Sequence, residues 1–526
     1  MRMRTGLGGA TVATAMLLAA GAGGAVAAPA PTEQRHLDWG PCTDLQPRGD
    51  EQLECATLTV ALDRAQPRGE TLDIALSRVP AQGERTDVLL VNPGGPGSPA
   101  RAWASITAQR LPDDLRQRYD VVSFDPRGVG ASTPAVACDP SYFEPVRPDV
   151  VPDSYLDQAR LLHRAADYAR ACQQRNGRLL HHMTTVDSAH DIDAVRAALG
   201  VEHIDYLGYS YGTYLGGVYA TLYPHRLDRL ILDSMLDPRK SWYESNLAQS
   251  RALDMAAENF FDWIARNHAT YGLGTTAEEV AQRYYALRER LERHPIDATI
   301  GPTEFDGIFT LVAYTSRYWP RLAGALSAYL VHGDSAALRA SHESLGEGPH
   351  DDPSYGAYLA TQCTDSVWPR DWATWHADAR EVHAEAPFLG WNNIWYNAPC
   401  KFWEAPSSRW FPIDGSAVSD ALLVHATDDG ATPVAGAYAM RSRFPNGRLV
   451  IEDGGVEHGV ALGRNACVDA AVLDYLRSGA LPPAGGGAAG ADLTCKPAPQ
   501  PEPEAAAPAT ARSAATPPST VAHPAR

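Results

Sequence analysis

The chain has 526 residues, with 63 acidic against 45 basic side chains and a formal net charge of −18 at neutral pH. That balance disfavours nucleic acid and anionic membrane surfaces as partners, because both are gripped through basic patches; acidity by itself implies solubility and identifies no substrate. The length exceeds what one hydrophobic core supports, so an additional lobe is expected beside the principal domain.

In chain order, residues 1–27 read as a secretory signal peptide. Basic residues fall within the first four positions, a small-residue apolar run covers residues 10–20, and Ala25-Val26-Ala27 fits a cleavage site, with the cut expected after Ala27. The apolar run is too interrupted to span a membrane, and no later segment is long and apolar enough to do so. An exported, extracellular protein without a membrane span is expected. Residues 56–62 and 72–79 read as two strands joined by a Pro-Arg-Gly turn, an antiparallel start to a sheet. Strands at 88–92, 119–124 and 204–207 then alternate with helical stretches, the βα rhythm of a mostly parallel sheet. After the first of these comes Pro93-Gly94-Gly95-Pro96-Gly97-Ser98, a loop in which glycines allow backbone amides to face a ligand. After the second comes Asp125-Pro126-Arg127-Gly128-Val129-Gly130, which holds a G-x-G but neither G-x-G-x-x-G nor Gly-Lys-Ser/Thr. It reads as a structural turn tied by Asp125 and Arg127, not a phosphate cradle.

The third strand leads into Gly208-Tyr209-Ser210-Tyr211-Gly212, the single G-x-S-x-G of the chain, followed by a small-residue helical run over 213–222. A serine on a sharp strand-to-helix turn presents its hydroxyl above the sheet. A hydroxyl is a poor nucleophile at neutral pH, so it requires a base and the base an orienting carboxylate. Between about 239 and 414 the βα rhythm stops in favour of helix formers and tryptophans, which reads as a helical cap inserted into the first core segment (35–238) and the second (415–495). The rhythm resumes with a strand at 421–425, followed by Asp428 and Asp429, and another at 448–452, followed by a Gly-rich turn carrying His458. The order Ser, Asp, His is that of α/β-hydrolases. Either aspartate could orient the base; Asp429 is preferred because it gives the spacing D-x-x-T-P, and His458 is the histidine on a Gly-rich turn directly after the last strand. His181, His182 and His425 read as structural or solvated, and no H-E-x-x-H or close Cys/His set points to a metal. Residues 496–526 are Pro/Ala-rich and are expected to be disordered. Eight cysteines in an exported chain suggest paired thiols, whose connectivity the count leaves open.

Five separated motifs in order resemble one pattern: N-P-G-G-P-G-S at 92–98, the stretch 119–133, the elbow at 207–216, D-x-x-T-P and the His-Gly element. The chain is similar to the tripeptidyl-aminopeptidase-like branch of the α/β-hydrolase serine peptidases, relatives of the prolyl aminopeptidases, over roughly 38–495. The resemblance implies an α/β-hydrolase fold with an inserted cap, a nucleophile at Ser210, an acid at Asp429, a base at His458, and an oxyanion hole from the amides of Gly95 and Tyr211. It implies pairing of neighbouring cysteines: Cys42 with Cys55, Cys138 with Cys172, Cys363 with Cys400 and Cys467 with Cys495. Relatives often continue the glycine loop with further glycine and serine, whereas here it runs Ser98-Pro99-Ala100. The expected activity is release of short peptides from free N-termini with no cofactor. An esterase or amidase for small acyl substrates is the alternative, and a non-catalytic binding protein on this scaffold the remote one. An aminopeptidase must meet the substrate's ammonium, and Glu244 and Asp365 are candidate carboxylates. The sequence leaves residue preference and oligomeric state open.

Overall fold

The computed structural model describes residues 37–487 and 490–504. The signal peptide and its cut after Ala27 lie outside the described residues, as does the tail beyond residue 504. Ten strands form one sheet: β1 (Gly40–Pro41), β2 (Glu54–Ala61), β3 (Thr71–Val79), β4 (Asp87–Asn92), β5 (Tyr119–Phe124), β6 (Ile204–Tyr209), β7 (Leu227–Asp233), β8 (Ala421–Ala426), β9 (Gly447–Glu452) and β10 (Leu493–Cys495). Their spatial order is β1-β2-β3-β5-β4-β6-β7-β8-β9-β10. The pairings from β1 to β5 by way of β3 are antiparallel; those from β5 through β4 to β10 are parallel.

The patterning explains the architecture. Strands β5, β6 and β8 are buried at every position, as expected where helices cover both faces of a parallel sheet. β2 alternates buried and exposed residues through its middle, as an outer antiparallel strand does. The parallel register aligns the strand ends, pairing Asn92 with Gly208, Tyr209 with Asp233, Asp233 with Val424 and Ala426 with Glu452. The loops leaving those ends therefore emerge side by side, where open α/β sheets bind ligands.

Between β7 and β8 the chain contributes no strand to the sheet. This inserted segment is not one unit of packing. Its first part, from Leu253 to Leu345, forms most of a second core around Phe260, Trp263, Tyr284 and Trp319, to which Phe388, Leu389, Ala431 and Val456 also contribute. Its later helices, including Asp352–Asp365 and Gly390–Asn397, join the core beside the sheet through Tyr355, Trp368, Trp391, Trp395 and Trp403. Four disulfides join Cys42 to Cys55, Cys138 to Cys172, Cys363 to Cys400 and Cys467 to Cys495.

Residues 496–504 correct the expectation that disorder begins at 496. The Asn465 amide donates to the Lys496 carbonyl at 2.8 Å and the Ala498 N–H to Glu452 at 2.6 Å. Further on, Trp263 Nε1 donates to the Pro501 carbonyl at 3.2 Å and the Glu504 N–H to the Tyr271 hydroxyl at 3.1 Å. Composition alone gave no sign of these anchors, because they lie on distant elements. The segment straps β9 to the first inserted helices.

Candidate active site

Ser210 caps the helix Tyr211–Leu222 with φ 57° and ψ −126°, a backbone region that costs a non-glycine residue about 1–3 kcal/mol and persists where surrounding structure enforces it. Two close approaches do so. A Cβ at Gly212 would lie 2.6 Å from the Asn92 carbonyl oxygen, and one at Gly94, itself at φ 103°, would lie 2.6 Å from the Tyr209 carbonyl and 2.8 Å from the Ser210 Cβ. The elbow and the glycine loop are thus packed backbone to backbone, with Gly95 beside Ser210. The Ser210 N–H donates to the Asp233 carbonyl at 3.0 Å. Tyr211 is the first residue of its helix, so its N–H has no partner inside the helix.

Asp429 is fully buried. Its Oδ1 accepts from the N–H groups of Ala431 and Thr432 at 2.8 and 3.0 Å, and its Oδ2 accepts from Thr432 Oγ1 at 2.7 Å. His458 Nδ1 lies 3.0 and 2.9 Å from its two oxygens. Asp428 makes no such contact and bonds through its N–H to the Gly455 carbonyl, so of the two aspartates Asp429 faces the imidazole. With Nδ1 engaged, Nε2 is the free nitrogen; it is buried and has no hydrogen-bond partner among the described residues. The Ser210 hydroxyl does not hydrogen-bond it, a contact that in serine hydrolases tightens as the substrate binds. Burial pulls the His458 pKa down, but the charge and hydrogen bond of Asp429, with Asp233 beyond it, outweigh that and leave it raised. Burial alone would raise the Asp429 pKa; His458 and the N–H donors hold it well below the usual carboxylate range.

The segments around His458 show why it sits there. Its N–H donates to the Tyr314 carbonyl at 2.8 Å, and the Tyr314 ring meets the imidazole edge to face at 5.3 Å. The next three N–H groups donate to the Ser234 hydroxyl at 2.8 Å and to Asp233 Oδ2 at 2.6 and 2.6 Å. None of Asp233, Ser234 and Tyr314 carries a sequence motif: the aspartate ends an apolar strand run, and the tyrosine comes from the insertion. His425 is structural. Its Nδ1 accepts from the Met235 N–H at 3.0 Å, so its Nε2 carries the proton and donates to the Thr432 carbonyl at 2.9 Å. Asp125 accepts from the Ala100 and Ala131 N–H groups at 2.6 and 2.9 Å, and Arg127 forks onto Asp191 at 2.8 and 2.8 Å, tying down their turn.

A cleft opens beside Ser210, lined among others by Gly95, Tyr211, Asp237, Trp242, Tyr314 and Thr432. Trp242, Ser245, Asn246 and Gln249 on that lining share one face of the helix Trp242–Arg266, at the spacing of a helical stripe. A second cavity adjoins through shared Gln249, Tyr314 and Tyr358. Neither candidate carboxylate for a substrate amine, Glu244 or Asp365, is on either lining. Glu244 is exposed and accepts from the Ser241 N–H and hydroxyl at 2.9 and 2.9 Å as a helix cap. Asp365 is buried, accepting from the Thr185 N–H at 2.7 Å and from Trp242 Nε1 at 3.3 Å. The carboxylate on the cleft lining is Asp237, which also holds Arg239 at 2.7 Å. Among the described residues no cluster of three or more His, Cys, Asp or Glu could hold a metal ion.

Residues 87–460 match the family described as alpha/beta hydrolase fold. The chain belongs to that family. Within it, the chain is 35% identical to the tripeptidyl aminopeptidase of Streptomyces coelicolor over 90% of its own length and 88% of the relative's. It is 29% identical to serine protease Hip1 of Mycobacterium tuberculosis over 85% and 90% of the two chains. It is 32% identical to carboxylesterase B of the same organism over 91% and 95%. This α/β-hydrolase is a serine hydrolase of the tripeptidyl-aminopeptidase-like branch, and its mostly parallel sheet is the one its motifs imply.

Proposed function

We propose that the protein is an exported aminopeptidase that releases tripeptides from free N-termini through an acyl-enzyme on Ser210. The observation that carries the mechanism is the Asp429–His458 contact at 2.9 Å, with Nε2 left unpaired and two cleft-lining residues, Tyr314 and Thr432, against the same imidazole. His458 Nε2 takes the Ser210 proton as Oγ bonds to the scissile carbonyl carbon, and Asp429 stabilises the imidazolium. The Gly95 and Tyr211 amides bind the oxyanion. The imidazolium gives its proton to the leaving amine as the C–N bond breaks. Water then attacks the ester, losing its proton to His458, and the proton returns to Ser210 as the acid departs.

The cleft beside Ser210 continues into a second cavity through shared Gln249, Tyr314 and Tyr358, an extended lining that supports a peptide acyl part. A free α-ammonium in the cleft shares Asp237, the carboxylate among its described lining residues, with Arg239 and with Lys240 on the same lining. Export is supported by the four disulfides, a chemistry of oxidising compartments. No helix among the described residues is long and apolar enough to cross a membrane. The domain reading that accompanies this function is a hydrolase core interrupted by a cap over residues 239–414.

The similarity to carboxylesterase B favours a second reading, hydrolysis of small acyl esters by the same residues. Chromogenic tripeptide amides with free and N-acetylated termini, assayed beside short acyl esters, separate the two. Acetylation is expected to lower kcat/KM by about 100-fold, the loss of one charge-assisted contact. Equal rates for the two peptides, with esters turned over faster, would establish the esterase instead.

A further inference from the structure

Asp233 ends β7, is fully buried and has no part in the acyl transfer above, yet it reaches both halves of the site. Its main-chain carbonyl takes the Ser210 N–H at 3.0 Å. Its Oδ2 takes the Val460 and Ala461 N–H groups at 2.6 and 2.6 Å, on the turn that carries His458. Ser234 continues the clamp from a strained left-handed conformation, φ 59°. Its N–H donates to the Val424 carbonyl on β8 at 3.0 Å. Its hydroxyl donates to Asp233 Oδ1 at 3.2 Å and accepts from the Gly459 N–H at 2.8 Å. Two adjacent residues thus join the nucleophile's turn, the base's turn and the strand that leads to the acid.

We infer that Asp233 is a positioning residue for the base: its carboxylate registers the 458–461 turn against Ser210 and brings a second negative charge, beside that of Asp429, to the turn that carries the imidazole. The inference rests on His458 being the base. The groups that act on this pair are few. Asp429 and Asp233 act on His458; His458 and Asp429 act on Asp233; Asp233 also acts on the buried Tyr209 hydroxyl; and His425 faces Asp429. Burial pushes the Asp233 carboxyl up to about 7, against the pull of its two N–H donors and of His458. The carboxyl and the imidazole each act on the other, so their protonation is coupled.

The test is the pH profile of kcat/KM on an acyl ester that has no titrating group, in wild type, Asp233→Asn and Ser234→Ala. Asparagine keeps an oxygen for the Val460 and Ala461 N–H groups and removes the charge. Asp233→Asn is expected to move the midpoint of the acid limb down by about 1 pH unit, the scale on which a nearby opposite charge acts. Ser234→Ala leaves the charge but frees the Gly459 N–H; it is expected to lower kcat about tenfold with the acid limb unmoved, as misplacement of a reacting group does. An Asp233→Asn enzyme whose limb keeps the wild-type midpoint overturns the charge role, and a Ser234→Ala enzyme with wild-type kcat overturns the clamp. A wild-type profile with no acid limb at all would instead overturn His458 as the base.

Discussion

Ser210 and His458 are held by backbone more than by side chains, and single substitutions should report that. The acid dependence of activity follows from the base. Burial lowers the His458 pKa, the Asp429 and Asp233 carboxylates raise it further than burial lowers it, and the net value lies above the ordinary 6.5. Since only the neutral imidazole accepts the serine proton, kcat/KM should fall as pH drops through neutrality toward 5, and a rate unchanged from pH 8 to 4 would contradict the role. Asp429→Asn should lower kcat by about 10⁴-fold with little change in KM, because the amide selects the wrong tautomer of the base. Asp237→Asn should raise KM for a free tripeptide amide about tenfold and leave ester KM unaltered, a modest effect because Arg239 already shares that carboxylate. At this scale the sequence was legible where glycine and serine mark a special turn, as at Gly94, Gly95 and Ser210. It was silent where an ordinary side chain acquires a role by proximity: Asp233, Ser234 and Tyr314 touch the 458–461 turn from 144 to 228 positions away in the chain. Glu244 lies at a helix end for a readable reason, since Ser241 and Glu244 have the spacing of a helix capping box.

Among elements, the glycine loop after β4 is the most constrained. Gly94→Ala adds a Cβ 2.6 Å from the Tyr209 carbonyl at a φ of 103°. The substitution should destabilise the fold by about 1–3 kcal/mol through backbone strain and lower kcat about 100-fold by displacing the oxyanion donors; thermal unfolding and a chromogenic ester assay measure the two effects. Strands buried on both faces were legible as continuous apolar runs, and their bounds shifted by only a residue or two, as at β6, which runs on to Tyr209. β1 and β10 were not legible. They are two and three residues long, and each lies beside a disulfide, Cys42–Cys55 and Cys467–Cys495, that keeps so short a strand in register. The Pro-rich strap was hidden for a related reason: its partners Trp263, Tyr271 and Glu452 are far away in the chain.

For the whole molecule, the insertion is bound to the sheet domain by shared core, by the strap and by the 458 turn, whose N–H bonds the Tyr314 carbonyl. The change from βα rhythm to helices marked the insertion in the sequence; its division between two cores did not show, because tryptophans pack equally well in either. Cys363–Cys400 fastens the later inserted helices. Replacing both cysteines with serine should cost about 2–4 kcal/mol, read as a lower Tm, and should leave the catalytic residues in place. The central claim is that Ser210 is the hydroxyl activated by His458 and Asp429. It is tested most directly by treating the folded protein with a fluorophosphonate and locating the adduct by peptide mass spectrometry. The account predicts a single adduct on Ser210; an adduct on another serine, or a hydrolytically active protein that stays unlabelled, would contradict it.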